Sequence, residues 1–256
     1  RGLGDVYKRQ DYLNDLRLKR KSVIKLKFRK TIAKLIKEDN FISLLYVFLL
    51  DTFIKLLEVF YRKPQKQVLF VSFGGKQISD SPKRIYQIMK NDPYFKDYNF
   101  VWAVLDKKKR SSLENDSRCK LVKIDSVSYY IMCLKSNIWV TNSGIKRYTN
   151  LSSKKTLFVN TWHGVPMKKI GVDEVSVKKS KIFAKKWFEF AEADINLACS
   201  EYDKKILMHV FRAPEKSFFS LGLPRNDKLY EEKKDKASIR DCLLYTSDAA
   251  DDMQCV

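Results

Sequence analysis

The sequence predicts an α/β fold in which a parallel sheet is flanked by helices and preceded by a basic helical segment, and three observations carry that prediction. From Pro64 onward, short apolar runs alternate with helical stretches, the signature of parallel strands joined through helices. Before Pro64 the chain is instead dense in Lys and Arg interleaved with apolar residues. Across 256 residues, 45% hydrophobic and 13% aromatic content suffices for a real core in one or two domains.

The elements follow in order. Val68–Phe73 reads as a buried strand, Gly74-Gly75 as a turn, and Ser81-Pro82 opens a helix to about Lys90, with proline at the first helical position. Phe100–Leu105 is the next strand, and Lys120–Ile124, Ile138–Thr141 and Thr156–Asn160 are three more, with a helix over Val127–Lys135 between the first two. Lys178–Phe190 reads as a helix, Ile195–Ala198 as a strand, Glu201–Phe211 as a helix and Ser217–Leu221 as a last short strand. The charged run Glu231–Lys236 begins a helix or linker.

Residues 1–10 and 242–256 are read as adapter-derived and set aside. Asp5-Val6-Tyr7-Lys8-Arg9-Gln10 is what gat-gtg-tat-aag-aga-cag encodes, a transposase end used in library preparation, and Cys242-Leu243-Leu244-Tyr245-Thr246-Ser247 is the same element reversed. The native segment is then about Asp11 to Asp241.

A formal charge of +21 calls for a polyanionic partner, which nucleic acid, an anionic membrane surface and a phosphate-rich polymer all satisfy. Residues 11–63 hold the densest basic stretch, Arg17 to Lys63, with Val23, Ile24, Leu26, Phe28, Ile32, Leu35 and Ile36 interleaved. That pattern fits a basic amphipathic helix on a membrane face, or equally an ordinary helix with a solvated basic side. Phe41–Leu50 is apolar but too short and too soon interrupted by Asp51, Lys55 and Glu58 to span a bilayer, so a membrane-resting or buried helix is expected. Outside the ends, Cys119, Cys133 and Cys199 are widely spaced, which excludes a C-x-x-C site or disulfide framework and fits a reducing cytoplasm.

The densest chemical cluster is Asn160-Thr161-Trp162-His163-Gly164-Val165-Pro166-Met167-Lys168-Lys169-Ile170-Gly171, leaving the end of an apolar strand. Ligands of open α/β sheets bind beyond the carboxyl ends of strands. His163 there can take a proton from a hydroxyl near neutral pH, Gly164 removes bulk where a phosphate approaches, and Lys168 with Lys169 supplies positive charge. By residue type the cluster is an anion site with a candidate general base, or a strand-to-loop turn with a structural histidine and solvated lysines. The planar fork of Arg225 suits a diphosphate, while the alternative is a surface arginine at a helix start. His209 reads as a surface or half-buried helix residue, Cys199 as a core thiol, and Gly74-Gly75 as a phosphate cradle or plain turn chemistry. No metal-ligand cluster and no cofactor site is identified.

The string Trp162-His163-Gly164-x-Pro166-x-Lys168-Lys169-x-Gly171 resembles the motif of the CDP-glycerol glycerophosphotransferase family, the polymerases and primases of wall teichoic acid and related capsule enzymes. Val68–Tyr86, with Ser79-Asp80-Ser81-Pro82 inside it, looks like the family's first strand and helix, and Val140-Thr141-Asn142-Ser143 like the strand before the motif. Gly222-Leu223-Pro224-Arg225-Asn226-Asp227 resembles the family's G-x-P-R-N-D, so the resemblance covers roughly Pro64 to Leu229. Val165 and Met167 stand where the family often has Thr and Leu, and Leu223 replaces a commoner polar or aromatic residue.

The resemblance implies a GT-B architecture of two Rossmann-like domains facing a cleft. Residues 64–230 would form the first, and 231–241 the start of a linker or second domain. The implied reaction is attack by an acceptor hydroxyl on the β-phosphate of CDP-glycerol, releasing CMP. His163 would activate the hydroxyl, and Trp162, Gly164, Val165, Pro166, Lys168, Lys169 and Arg225 would bind substrate. The family's second histidine and serine-containing donor loop belong to the following domain, so this chain alone is expected to be inactive. The implied partners are CDP-glycerol, a lipid-linked polymer or primer acceptor and an anionic membrane surface, at the cytoplasmic face of the membrane. Two other readings are a nucleotide-sugar transferase of the same architecture and a basic nucleic-acid-binding module. The last lacks any helix-turn-helix or aromatic strand platform, so no nucleic-acid partner is expected.

Overall fold

The computed structural model describes residues 41–61, 64–106, 117–147 and 149–227. The basic stretch before Phe41, the run Glu231–Lys236 and both end segments lie outside the described residues. In chain order the elements are α1 (Phe41–Tyr61), β1 (Gln65–Val71), α2 (Asp80–Asn91), β2 (Asn99–Val104), β3 (Cys119–Lys123), α3 (Val127–Lys135), β4 (Ser136–Thr141), β5 (Leu157–Asn160), α4 (Val175–Lys179), α5 (Lys181–Phe188), β6 (Ile195–Leu197), α6 (Glu201–Phe211) and β7 (Phe218–Phe219).

All strand pairs are parallel, in the order β3-β2-β1-β4-β5-β6-β7. Alternate residues of β1 serve two cores. Val68 and Phe70 join Phe100, Trp102, Val140 and Tyr86 on the α2 face, while Leu69 and Val71 join Val101, Trp139, Tyr129 and Phe211 on the other. Burial on both faces is why these strands read as continuous apolar runs. Each such side chain taken out of water stabilises the fold by about 1.5–3 kcal/mol. Because the chain proceeds from β1 outward to β3 and then returns to β4 on β1's other side, a crevice opens beyond the carboxyl ends of β1 and β4.

α3 and α6 have the predicted bounds. The helix expected over Lys178–Phe190 is instead two, α4 and α5, separated at buried Ser180, and it ends in a 3-10 turn at Glu189–Glu192. α2 begins at Asp80, so Pro82 occupies its third position rather than its first, still within the turn whose N–H groups have no helical acceptor. β7 keeps only two of the five residues expected.

α1 is continuous past Asp51 and Lys55. Most of its apolar side chains are exposed, Phe41 and Val59 at 78% each, while Val47 and Ile54 are buried. The expectation of a buried helix therefore fails for most of its length. Asp51 interrupts the apolar stretch because it fastens the helix: its carboxylate accepts from the Asn150 backbone N–H at 2.7 Å and side-chain amide at 2.6 Å, and pairs with Lys185 at 3.4 Å. Among the described residues, no helix is long and apolar enough to cross a membrane.

Candidate active site

The carboxyl ends of β1, β4 and β5 deliver three short segments to the crevice: Ser72–Gly75, Asn142–Gly144 and Thr161–Gly164. His163 stands among them. Its Nδ1 lies 2.7 Å from the Asn142 carbonyl oxygen, which can only accept, so Nδ1 carries a proton and the neutral tautomer selected here is the one with its lone pair on Nε2. Behind it the buried Trp162 ring lies 4.0 Å away, backed by Phe211, Phe190 and Trp187, and the Phe73 ring lies 5.7 Å to the side. Trp162 adopts φ +50, a left-handed conformation costly for an aromatic residue, and its N–H donates to Asn160 Oδ1 at 3.0 Å.

Asn142 links His163 to a charged pair. Its Oδ1 accepts from the Phe73 N–H at 2.8 Å, and its Nδ2 donates to Asp80 Oδ2 at 2.5 Å. The other oxygen of Asp80 accepts from Arg225 Nη1 at 2.8 Å. Asp80 has φ +65 and a side chain only 4% exposed, whereas that of Arg225 is 38% exposed. A Cβ added to Gly164 would sit 3.9 Å from Arg225 Nη2, so this glycine, at φ +145, lies directly before the guanidinium.

The rest of the motif forms an exposed strap. Val165, Met167, Lys168 and Lys169 are exposed and Pro166 is half-buried. The strap ends at buried Ile170 and at Gly171, where φ is +55 and a Cβ would meet the Val210 carbonyl oxygen at 2.0 Å. His163, Gly164 and Arg225 thus come together, Trp162 forms the wall behind the imidazole, and Lys168 and Lys169 stand on the strap.

A second arginine lies on the opposite side of the crevice. Arg147 donates from Nε to Asp125 Oδ1 at 2.8 Å, and its Nη1 lies 3.8 Å from where Gly74 would carry a Cβ. Just before it, buried Glu189 accepts from the N–H groups of Ile145 at 3.1 Å and Lys146 at 2.7 Å. Burial pushes the Glu189 carboxyl up to about 7, against the pull of those two amides and of the Lys146 and Arg147 charges.

Sequence reasoning assigned no role to Asp80, Asn142, Arg147 or Glu189; only the first two fell inside recognised segments. His209 is exposed on α6, 3.3 Å from Asp173. Cys199 is exposed rather than the core thiol expected, and desolvation followed by the Asp203 charge raises its pKa, so it is a poor nucleophile. The core thiol is Cys133. A cavity of about 430 Å³ between α5 and the β4–β5 loop is lined by Lys146, Lys185, Phe188 and Glu189 and includes neither His163 nor Arg225. Among the described residues no His, Cys, Asp and Glu group could hold a metal ion.

Residues 54–250 match the model of the CDP-glycerol:poly(glycerophosphate) glycerophosphotransferase family. The chain belongs to that family. It is 30% identical over 67% of its length to a teichoic acid poly(glycerol phosphate) polymerase of Staphylococcus epidermidis, covering 24% of that protein. It is 27% identical over 81% of its length to a teichoic acid glycerol-phosphate transferase of Staphylococcus aureus, covering 50% of it. The chain thus spans between about a quarter and a half of these relatives. Among solved structures, a histidine variant of the wall teichoic acid polymerase TagF superposes with a TM-score of 0.63 at 26% identity, over 84% of this chain and 51% of that one. The chain's parallel α/β sheet thereby matches the GT-B-like fold of that polymerase, of which it spans about half.

Proposed function

We propose that the chain carries the base and part of the donor site of an enzyme that transfers glycerol phosphate from CDP-glycerol to a hydroxyl of a (poly)glycerol-phosphate or primer acceptor, releasing CMP. The observation that carries this reading is the hydrogen bond from His163 Nδ1–H to the Asn142 carbonyl, which leaves Nε2 as a proton acceptor in the switch-point crevice. The acceptor O–H gives its proton to Nε2 as its oxygen bonds to the β-phosphorus. The bond from that phosphorus to the bridging oxygen breaks, and CMP leaves with the electron pair. Arg225, aimed across Gly164, would pair with the diphosphate and stabilise the charge that develops on it.

In the intact gene product, His163→Ala should lower the rate of CMP release from CDP-glycerol about 10²-fold or more, since a positioned base contributes about that much. Undiminished release would sink the assignment, and turnover with UDP-sugars but not CDP-polyols would replace the substrate.

The exposed apolar side chains of α1, together with the basic stretch before it, support peripheral binding at the anionic cytoplasmic face of the membrane, where a lipid-linked acceptor would be met. Deleting residues 11–63 should release the protein from anionic vesicles in a sedimentation assay. Unchanged sedimentation would refute this placement.

A further inference from the structure

We infer that Arg147 forms a second anion subsite of the crevice, which takes a phosphodiester of the acceptor chain on the side of His163 opposite Arg225. The inference rests on the proposed transfer reaction and adds a substrate contact to it.

Two Arg–Asp pairs flank the imidazole, on opposite faces of the sheet. Asp80, the partner of Arg225, opens α2, which packs against one core; Asp125, the partner of Arg147, directly precedes the turn into α3, which packs against the other. Each guanidinium has one nitrogen beside a glycine of positive φ, Arg225 Nη2 by Gly164 and Arg147 Nη1 by Gly74. Gly74 adjoins Phe73, whose ring lies 5.7 Å from the imidazole, and the Gly74 N–H donates to Ser143 Oγ at 2.7 Å, so these residues lie between the arginine and His163.

Arg147 itself has φ +63, and such a backbone persists in a long side chain only where the surroundings enforce it. Here Glu189 grips the two preceding amides, the Tyr129 hydroxyl donates to the Ile145 carbonyl at 2.5 Å, and the Asn150 contacts with Asp51 tie the loop to α1. The strained conformation sends the guanidinium over Gly74.

Chemistry supplies the occupant. A growing glycerol-phosphate chain carries a phosphodiester one unit behind the attacking hydroxyl, and the donor diphosphate already has Arg225. Asp125 meets the Arg147 fork at Nε and Nη2 from a solvent-exposed position, and a phosphodiester, which a planar fork also meets bidentately, would take the place of that carboxylate.

The phosphodiester could belong to the acceptor or to a membrane lipid headgroup, so the test uses a soluble glycerol-phosphate oligomer without vesicles. In the intact gene product, Arg147→Gly, which relieves the positive φ while removing the charge, should raise the KM for the oligomer about tenfold or more and leave the KM for CDP-glycerol within about twofold. Arg147→Lys should give a smaller rise, because a point charge replaces the fork. An unchanged oligomer KM, or an equal rise in both KM values, overturns the proposal. So does a variant altered only in vesicle binding, which would assign Arg147 to headgroups. If Arg147→Gly does not fold, Arg147→Gln, with the native backbone demand, carries the same comparison. Loss of the base reading is separately visible as CMP release that survives His163→Ala.

Discussion

The two arginines beside His163 are held in different ways. On one side a buried carboxylate, Asp80, grips the guanidinium of Arg225 itself and also the Asn142 amide that leads to the imidazole. On the other side the buried carboxylate, Glu189, grips backbone amides, and Arg147 pairs through Nε and Nη2 with both oxygens of Asp125, whose side chain is 34% exposed. The first arrangement fixes a charge on a buried partner; the second fixes a loop and pairs its charge with a partner open to solvent. In the proposed reaction, the first would hold a donor diphosphate for displacement and the second would meet an acceptor chain that advances.

The comparison breaks most visibly at Asp80. Asp80→Asn keeps the shape and tolerates the left-handed backbone but removes the charge, and it should lower kcat/KM about tenfold or more while destabilising the fold by about 1–3 kcal/mol. Steady-state kinetics and urea unfolding would read both. A variant with full activity would show that Arg225 needs no buried anchor.

An effect on stability alone is expected on the other side. Glu189 has a folded pKa raised from 4.5 to about 7, so between these values the folded protein holds a proton that the unfolded chain has released. Stability should therefore fall as pH rises through that window, by on the order of 3 kcal/mol, and change no further above it. Glu189→Gln should flatten this slope in unfolding curves measured at a series of pH values. An unaltered slope would mean that another group titrates.

The layers of this fold were legible because parallel strands covered on both faces appear as uninterrupted apolar runs, as in Val68–Val71 and Phe100–Val104. The break at Ser180 was not, since no Pro or Gly marks it and the pattern of apolar residues continues across. Within the site, His163, Gly164 and Arg225 could be marked from their chemistry and their motifs. Asp80, Asn142 and Glu189 could not be given roles, because these arise from partners far along the chain: 145 residues separate Asp80 from Arg225, 62 separate it from Asn142, and 44 separate Glu189 from Ile145. Spacing along one sequence carries no trace of such meetings. Arg147 lay hidden for a further reason, since one basic residue among many in a chain of charge +21 draws no notice until its neighbours are known.

Gly171, wedged under the Val210 carbonyl, and His163, bonded to Asn142, pin the strap at both banks. What these moorings dictate is its span rather than its lettering. Val165 and Met167 can therefore differ from the residues common at those places without shifting the imidazole, whereas one added or deleted residue would have to tear loose one bank or the other.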